Sequence, residues 1–309
     1  MTSMRHGTTK PFQLAVACVL SAVIAGCTII APPTSKPSDP STNATAPPAG
    51  KTTKPKASTS PVTAHAISPF VSLSNYLAGR QGKITAAVYD KRTGRTWLYR
   101  PGVRQDTASI VKVEIMGTAL WNAQNAGTSV SSNDQALILP MIENSNNDAA
   151  TSMLANVGGP SAVARFDRAA GLTATTPSTQ KYIPGTTLPG WGLTTTTALD
   201  EVKLVRTFAY QNAVLTSSHR RYGLNLMERV ESDQAWGISG GVPTGTTVAI
   251  KNGWLPLAGQ GWQVNSIGWV HGNGRDYVLA VLTSHNPGEQ YGIDTIEAIA
   301  TSVYRQLGR

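Results

Sequence analysis

The apolar positions divide the chain into three stretches of different character. Phe12 to Ile24 is a short, nearly unbroken apolar run that follows the basic residues Arg5 and Lys10. It is too short to span a bilayer comfortably and fits the apolar region of a secretory signal. From about Ala31 to Ala66 large apolar side chains almost vanish among Pro, Thr, Ser, Ala and Lys. Such a segment cannot bury enough surface to offset its chain entropy, and it reads as a flexible stalk. From Ile67 onward apolar residues return, and a folded domain is expected over 67–309.

Within that domain, short apolar runs bounded by turn residues predict strands, and longer segments with start and stop signals predict helices. Phe70–Leu77 reads as a short helix. Ile84–Tyr89 and Thr96–Tyr99 read as strands joined by the turn at Asp90–Gly94. Asp106 is placed to cap a helix over Thr107–Asn125. Asn133–Val157 reads as one or two helices closed by Gly158-Gly159-Pro160, and Ser161–Ala170 as another ended by Gly171. Thr173–Thr197, rich in Thr, Pro and Gly, is expected to be a long loop, and loops of that length in compact domains are often functional. Helices over Ala198–Tyr210 and Ser217–Val230 precede strands over Thr247–Lys251, Trp262–Val270 and Tyr277–Thr283. A helix over Tyr291–Leu307 ends the chain. Strands at both ends with helices between predict an α+β domain, its sheet drawn from both termini around a helical insert.

With 40% hydrophobic and 14% charged residues, the chain can build a sizeable core. The net charge of +9 raises the question of nucleic acid. Its distribution answers against that. Arg5, Lys10, Lys36, Lys51, Lys54 and Lys56, set against Asp39 alone, place +5 of it before residue 69. The rest is scattered without the basic stripe of a nucleic-acid protein. A basic N-terminal segment suits an anionic membrane surface better. The apolar run ends in Ile24-Ala25-Gly26-Cys27, which resembles a bacterial lipobox. This predicts a signal over 1–27, lipidation of Cys27, a stalk over 28–66 and an exported domain held at the cell membrane. Cys18 would leave with the signal, so the domain would carry neither disulfide nor cysteine chemistry. His65, His219, His271 and His285 show no ligand spacing, so neither a metal nor another cofactor is expected.

Ser109-Ile110-Val111-Lys112 is an SxxK element at a predicted helix start. Residues three apart share a helical face, so the lysine amine can reach the serine hydroxyl and, if neutral, take its proton. A first-turn serine also sits among free N–H groups that favour developing negative charge. A second such spacing, Ser178 to Lys181, falls in the Thr/Pro loop, where nothing holds the pair on one face. Alone, the first motif is equally a helix cap beside a solvated lysine. Ser145-Asn146-Asn147 is an SxN element, able to relay a proton through the hydroxyl and bind a carbonyl through the Asn147 amide. Lys251-Asn252-Gly253 ends a predicted strand. There a lysine can bind a carboxylate, glycine admits a close backbone approach, and the following Trp254 N–H can pair with the Ser109 N–H as an oxyanion hole.

Each motif is weak by itself, but together and in this order they resemble the signature of serine β-lactamases and penicillin-binding proteins, closest to class A β-lactamases. The run Ser145–Pro160 and the four threonines 194–197 before a helix are the most family-like segments. The resemblance implies an antiparallel five-stranded sheet flanked by helices with an all-helical subdomain. It implies Ser109 as acylated nucleophile, Lys112 as its base or relay, Ser145 as proton shuttle and Asn147 as ligand for the substrate amide. Lys251, with Asn252 and Gly253, would attract the substrate carboxylate, and Trp254 would complete the oxyanion hole. The partner is then a small molecule, a β-lactam or peptidoglycan-like acyl donor, taken by a monomer.

Three positions depart from the family pattern. The stretch Leu172–Leu199 contains no Asp or Glu where the family's deacylating glutamate is expected. Asn252 replaces a small hydroxyl residue, and Asn146 replaces an aspartate. The interval between SxxK and SxN is also short, which would open the cleft. These departures predict an acyl-enzyme that is hydrolysed slowly. A D,D-peptidase or esterase-like enzyme and a non-catalytic envelope lipoprotein that binds cell-wall fragments are the competing expectations. Glu143 and Asp148, flanking the SxN element, are candidates for a substitute base.

Overall fold

The computed structural model describes residues 68–307. The proposed signal, the lipobox with Cys27 and the stalk lie outside them. In chain order the elements are α1 (Ser74–Ala78), β1 (Lys83–Asp90), β2 (Arg95–Tyr99), β3 (Gln105–Asp106), α2 (Val111–Asn125), α3 (Ser132–Glu143), α4 (Asn147–Asn156) and α5 (Gly159–Ala170). They continue with β4 (Thr195–Thr196), α6 (Ala198–Ala209), α7 (Ser217–Met227), β5 (Thr247–Leu257), β6 (Gly261–Gly272), β7 (Arg275–Asn286) and α8 (Glu289–Leu307). Five strands form one antiparallel sheet in the order β2-β1-β7-β6-β5, so N- and C-terminal strands meet at the β1–β7 pair. This is the α+β architecture expected.

Helices cover both faces of the sheet, which is why β1 and β7 are buried along most of their length rather than alternating between buried and exposed. The two faces still follow the pleat. On β7, Val278, Ala280 and Leu282 point into a core shared with α2–α7, while Tyr277, Leu279 and Val281 point into a second core under α8. α8 presents Ile296, Ile299, Ala300 and Val303 to that second core. All four are fully buried, each large one contributing about 1.5–3 kcal/mol of transfer free energy.

Several boundaries differ from those read in the sequence. Asp106 does not cap a helix. It pairs with Thr195 in the two-stranded β3–β4 ribbon, and a single 3₁₀ turn, Ala108–Ile110, precedes α2. The 133–157 segment is two helices, capped by Ser131 through the Asp134 N–H (3.0 Å) and by Asn146 through the Ala149 N–H (2.8 Å). Gly159 and Pro160 open α5 rather than close α4, Pro suiting a first turn where no N–H is needed. β5 runs on through Lys251 to Leu257, because as an edge strand it tolerates both Gly253 and Pro256.

Where α2, α5 and α6 meet, the core contains three buried carboxyl groups, Glu114, Asp167 and Glu201, whose six oxygens have no hydrogen-bond partner of ordinary geometry. Burial raises all three pKa values, reinforced at Asp167 by Asp200 and at both glutamates by Asp167 and Asp200: Asp167 to about 7, Glu201 to about 8, and Glu114 well above the carboxylate range. The Thr196 hydroxyl and Arg168 oppose this only in part. A carboxyl whose folded pKa exceeds its unfolded value, about 4.3 for Glu, supports folding while protonated and loses that support as pH rises through the folded value. Glu201→Gln, which mimics the protonated acid, should therefore match the parent's melting temperature near pH 5. Its advantage should grow to at least about 2–4 °C, or roughly 1 kcal/mol, by pH 8.5 and then level off. Melting curves of both proteins from pH 5 to 9 measure it; a constant difference would rule the assignment out.

Candidate active site

The 3₁₀ turn carrying Ser109 is docked onto the open edge of the sheet. Buried Asn265 of β6 donates to the carbonyls of Asp106 (2.8 Å) and Thr107 (3.0 Å) and accepts from the Thr283 N–H (3.1 Å). Thr107 N–H donates to Thr194 O (2.8 Å), joining the turn to the threonine run. Gly253 of β5 passes so close that a Cβ there would lie 2.6 Å from the Ser109 amide nitrogen and 2.8 Å from Thr107 O. The glycine of the KxG element is thus required by backbone contact with the serine turn. The turn itself is strained, with Ala108 at φ 48°, and Ser145 across the cleft stands at φ 52°. Non-glycine residues in this region cost about 1–3 kcal/mol and persist where surrounding structure holds them.

α2 carries the Lys112 side chain under Ser109. Its Nζ lies 3.0 Å from Ser109 Oγ, 3.0 Å from Ser145 Oγ, 2.8 Å from Asn147 Oδ1 and 2.5 Å from Ser145 O. Lys112 is fully buried, and burial, aided by the nearby Lys251 charge, lowers its pKa to about 6. At neutral pH it is an amine with a lone pair. Ser109, Lys112, Ser145 and Asn147 are therefore brought together from three separate segments. The second SxxK spacing is not: Lys181 lies over the Tyr182 ring, 5.1 Å from its centroid.

Lys251 and Asn252 are placed differently from the expectation. Lys251 is fully buried, its Nζ donates to Asn252 O (3.0 Å), and burial lowers its pKa to about 7. The Asn252 amide donates to Gln234 O (2.7 Å) and Trp236 O (2.9 Å). Neither side chain lines the cleft. Asn146, in place of an aspartate, caps α4. The candidate substitute bases also stand apart: Glu143 pairs with Arg229 (2.6 Å) and Asp148 is exposed on α4.

The sequence reading missed Trp191. The 173–197 segment folds back on itself through the Tyr182–Pro189 bridge and presents Trp191 beneath the nucleophile. Its ring centroid is 4.9 Å from Lys112 Nζ, and its Nε1 donates to Thr151 Oγ1 (3.1 Å). Only the length of the loop hinted at a role. Among the described residues no group of three or more His, Cys, Asp and Glu side chains is placed to hold a metal.

A sheet drawn from both termini, a helical subdomain, and a serine–lysine pair between them define a serine β-lactamase-like protein. The profile of the Beta-lactamase enzyme family matches residues 126–307, and the chain belongs to that family, which is of the serine hydrolase kind. The match begins after Ser109 and Lys112. The fold is also that of solved β-lactamases. The TLA-1 extended-spectrum β-lactamase is 20% identical over 78% of this chain and 98% of its own, with a TM-score of 0.70. A class A β-lactamase from Mycobacterium abscessus is 24% identical over 78% and 100%, at 0.65. One from Bacteroides cellulosilyticus is 17% identical over 78% and 97%, at 0.67. Comparison with curated proteins finds no match.

The Gly253 contact gives a direct test. Gly253→Ala must push β5 off the serine turn, and overpacking of this kind costs about 1–3 kcal/mol. Thermal unfolding should show that loss. Gly288→Ala, where an added Cβ meets nothing within 4 Å, should melt close to the parent.

Proposed function

We propose that this protein is a serine acyl-transfer enzyme that forms an acyl-enzyme at Ser109 with β-lactams or a related acyl donor and releases it slowly. The observation that carries this reading is the buried Lys112 amine within hydrogen-bond reach of both serine hydroxyls. Ser109 Oγ gives its proton to Lys112 Nζ and attacks the substrate carbonyl carbon. The N–H groups of Ser109 and Trp254 receive the developing oxyanion. The carbonyl–nitrogen bond then breaks, and the proton passes from Lys112 through Ser145 Oγ to the leaving nitrogen. Asn147, at the cleft surface, binds the substrate's side-chain amide. Lys251 acts through its charge on Lys112, adding to burial in keeping that amine unprotonated.

Deacylation needs a base for water, and none of the residues lining the cleft is acidic. Against Lys112 the loop places the Trp191 indole, which cannot act as a base. Lack of a general base costs about 10²–10⁴-fold. We further propose that the domain is exported as a monomer and tethered to the cell membrane by a lipid on Cys27.

Intact-mass spectrometry of the folded domain mixed with benzylpenicillin tests the reading. An adduct of one drug mass should accumulate within minutes, persist for hours and be absent from Ser109→Ala. Its rate of formation should fall about tenfold per pH unit below about 6, as Lys112 is protonated, and be level just above. Sustained, rapid loss of drug without an adduct would exclude slow deacylation. The absence of both would favour a protein that only binds its ligand.

A further inference from the structure

We propose that the cleft beside Ser109 is a pocket for an apolar acyl chain, and that the preferred donor is a neutral ester or amide carrying an alkyl or aryl acyl group and no carboxylate. The proposal rests on acylation of Ser109 and names the substrate class. The cavity, about 240 Å³, opens directly from Ser109 and Ser145. Its far side is made by Ile183 and Leu188 of the loop, Trp254, Leu255 and Pro256 of β5, and Trp262 of β6. None of the residues lining it is charged.

The pocket is preformed. Ala108, Ile183 and Leu255 are buried in a small apolar cluster of their own, with Leu188, Leu193 and Leu257 packed against it. Trp254 is braced edge-on by Trp236, with ring centroids 5.9 Å apart. The two side chains best placed by sequence to hold an anion are bonded to backbone carbonyls, fully buried Lys251 to Asn252 O and Asn252 to Gln234 O and Trp236 O. A carboxylate entering here would give up water for an uncharged wall, whereas each methylene would gain by leaving water.

The test uses p-nitrophenyl esters, in which Ser109 Oγ displaces p-nitrophenolate and its proton passes to Lys112. Acylation is followed by p-nitrophenolate release and by intact mass. From acetate to butyrate to hexanoate, the second-order rate constant should rise about threefold per methylene, corrected for each ester's rate with hydroxide. Benzylpenicillin methyl ester should acylate at least as fast as the free acid. Leu188→Asp and, as a second variant that adds no charge, Ile183→Ala should each lower the hexanoate-to-acetate ratio. Melting curves of both would report that they fold.

Acylation by acetate or penicillin with no gain along the ester series, or with the free acid much faster than its methyl ester, overturns the pocket assignment and leaves Ser109 as nucleophile. No adduct with any probe overturns both readings.

Discussion

The site depends on one buried amine. Lys112 is the point at which three segments of chain converge: α2, which carries it; the tight turn into α4, which offers Ser145 and Asn147; and the folded-back loop that lays Trp191 across it. In this surrounding the amine has a reason to be neutral, since charging it would mean solvating an ammonium with one indole face and a few oxygens, beside a second buried lysine. A neutral amine in turn lets one side chain hold both hydroxyls of the cleft. Geometry and protonation state therefore have one cause, the exclusion of water from the underside of the nucleophile.

The upper side is governed by a different constraint, the distance between a strand and a turn. Gly253 and Asn265 set it together, one by having no side chain and the other by bonding two successive carbonyls of the serine segment. The cost is visible in the positive φ of Ala108. Strain at the nucleophile is thus held by the edge strand β5 and its inner neighbour β6, which links the rigidity of the sheet to the reach of Ser109.

Much of this is legible in the sequence. Unbroken apolar runs such as 277–282 are legible because helices on both faces leave no polar alternation to confuse the reading. Ser109, Lys112, Ser145 and Gly253 are legible because each belongs to a local spacing. Asn265 and Trp191 are not, since both act across long separations and neither residue type is unusual in its local surroundings. Asn252 and Lys251 are legible as a motif but not as geometry. Whether an edge-strand side chain turns toward a cleft or toward neighbouring carbonyls is decided by the Gln234–Trp236 segment, which shares no pattern with it. The helix boundary at Asp106 is missed for a related reason: an aspartate before a helix suits a cap, and only its pairing with Thr195 shows that it serves the ribbon instead.

The indole wall has an optical consequence. The chain has seven tryptophans, and three of them, Trp191, Trp254 and Trp262, face a single cavity. Indole emission follows the polarity and hydration of its surroundings, and a nearby lysine affects it differently as ammonium and as amine. The occupancy of the cleft and the charge on Lys112 are thus both coupled to the protein's own fluorescence. The molecule carries a label-free indicator of its state, built from the side chains that exclude water from its nucleophile.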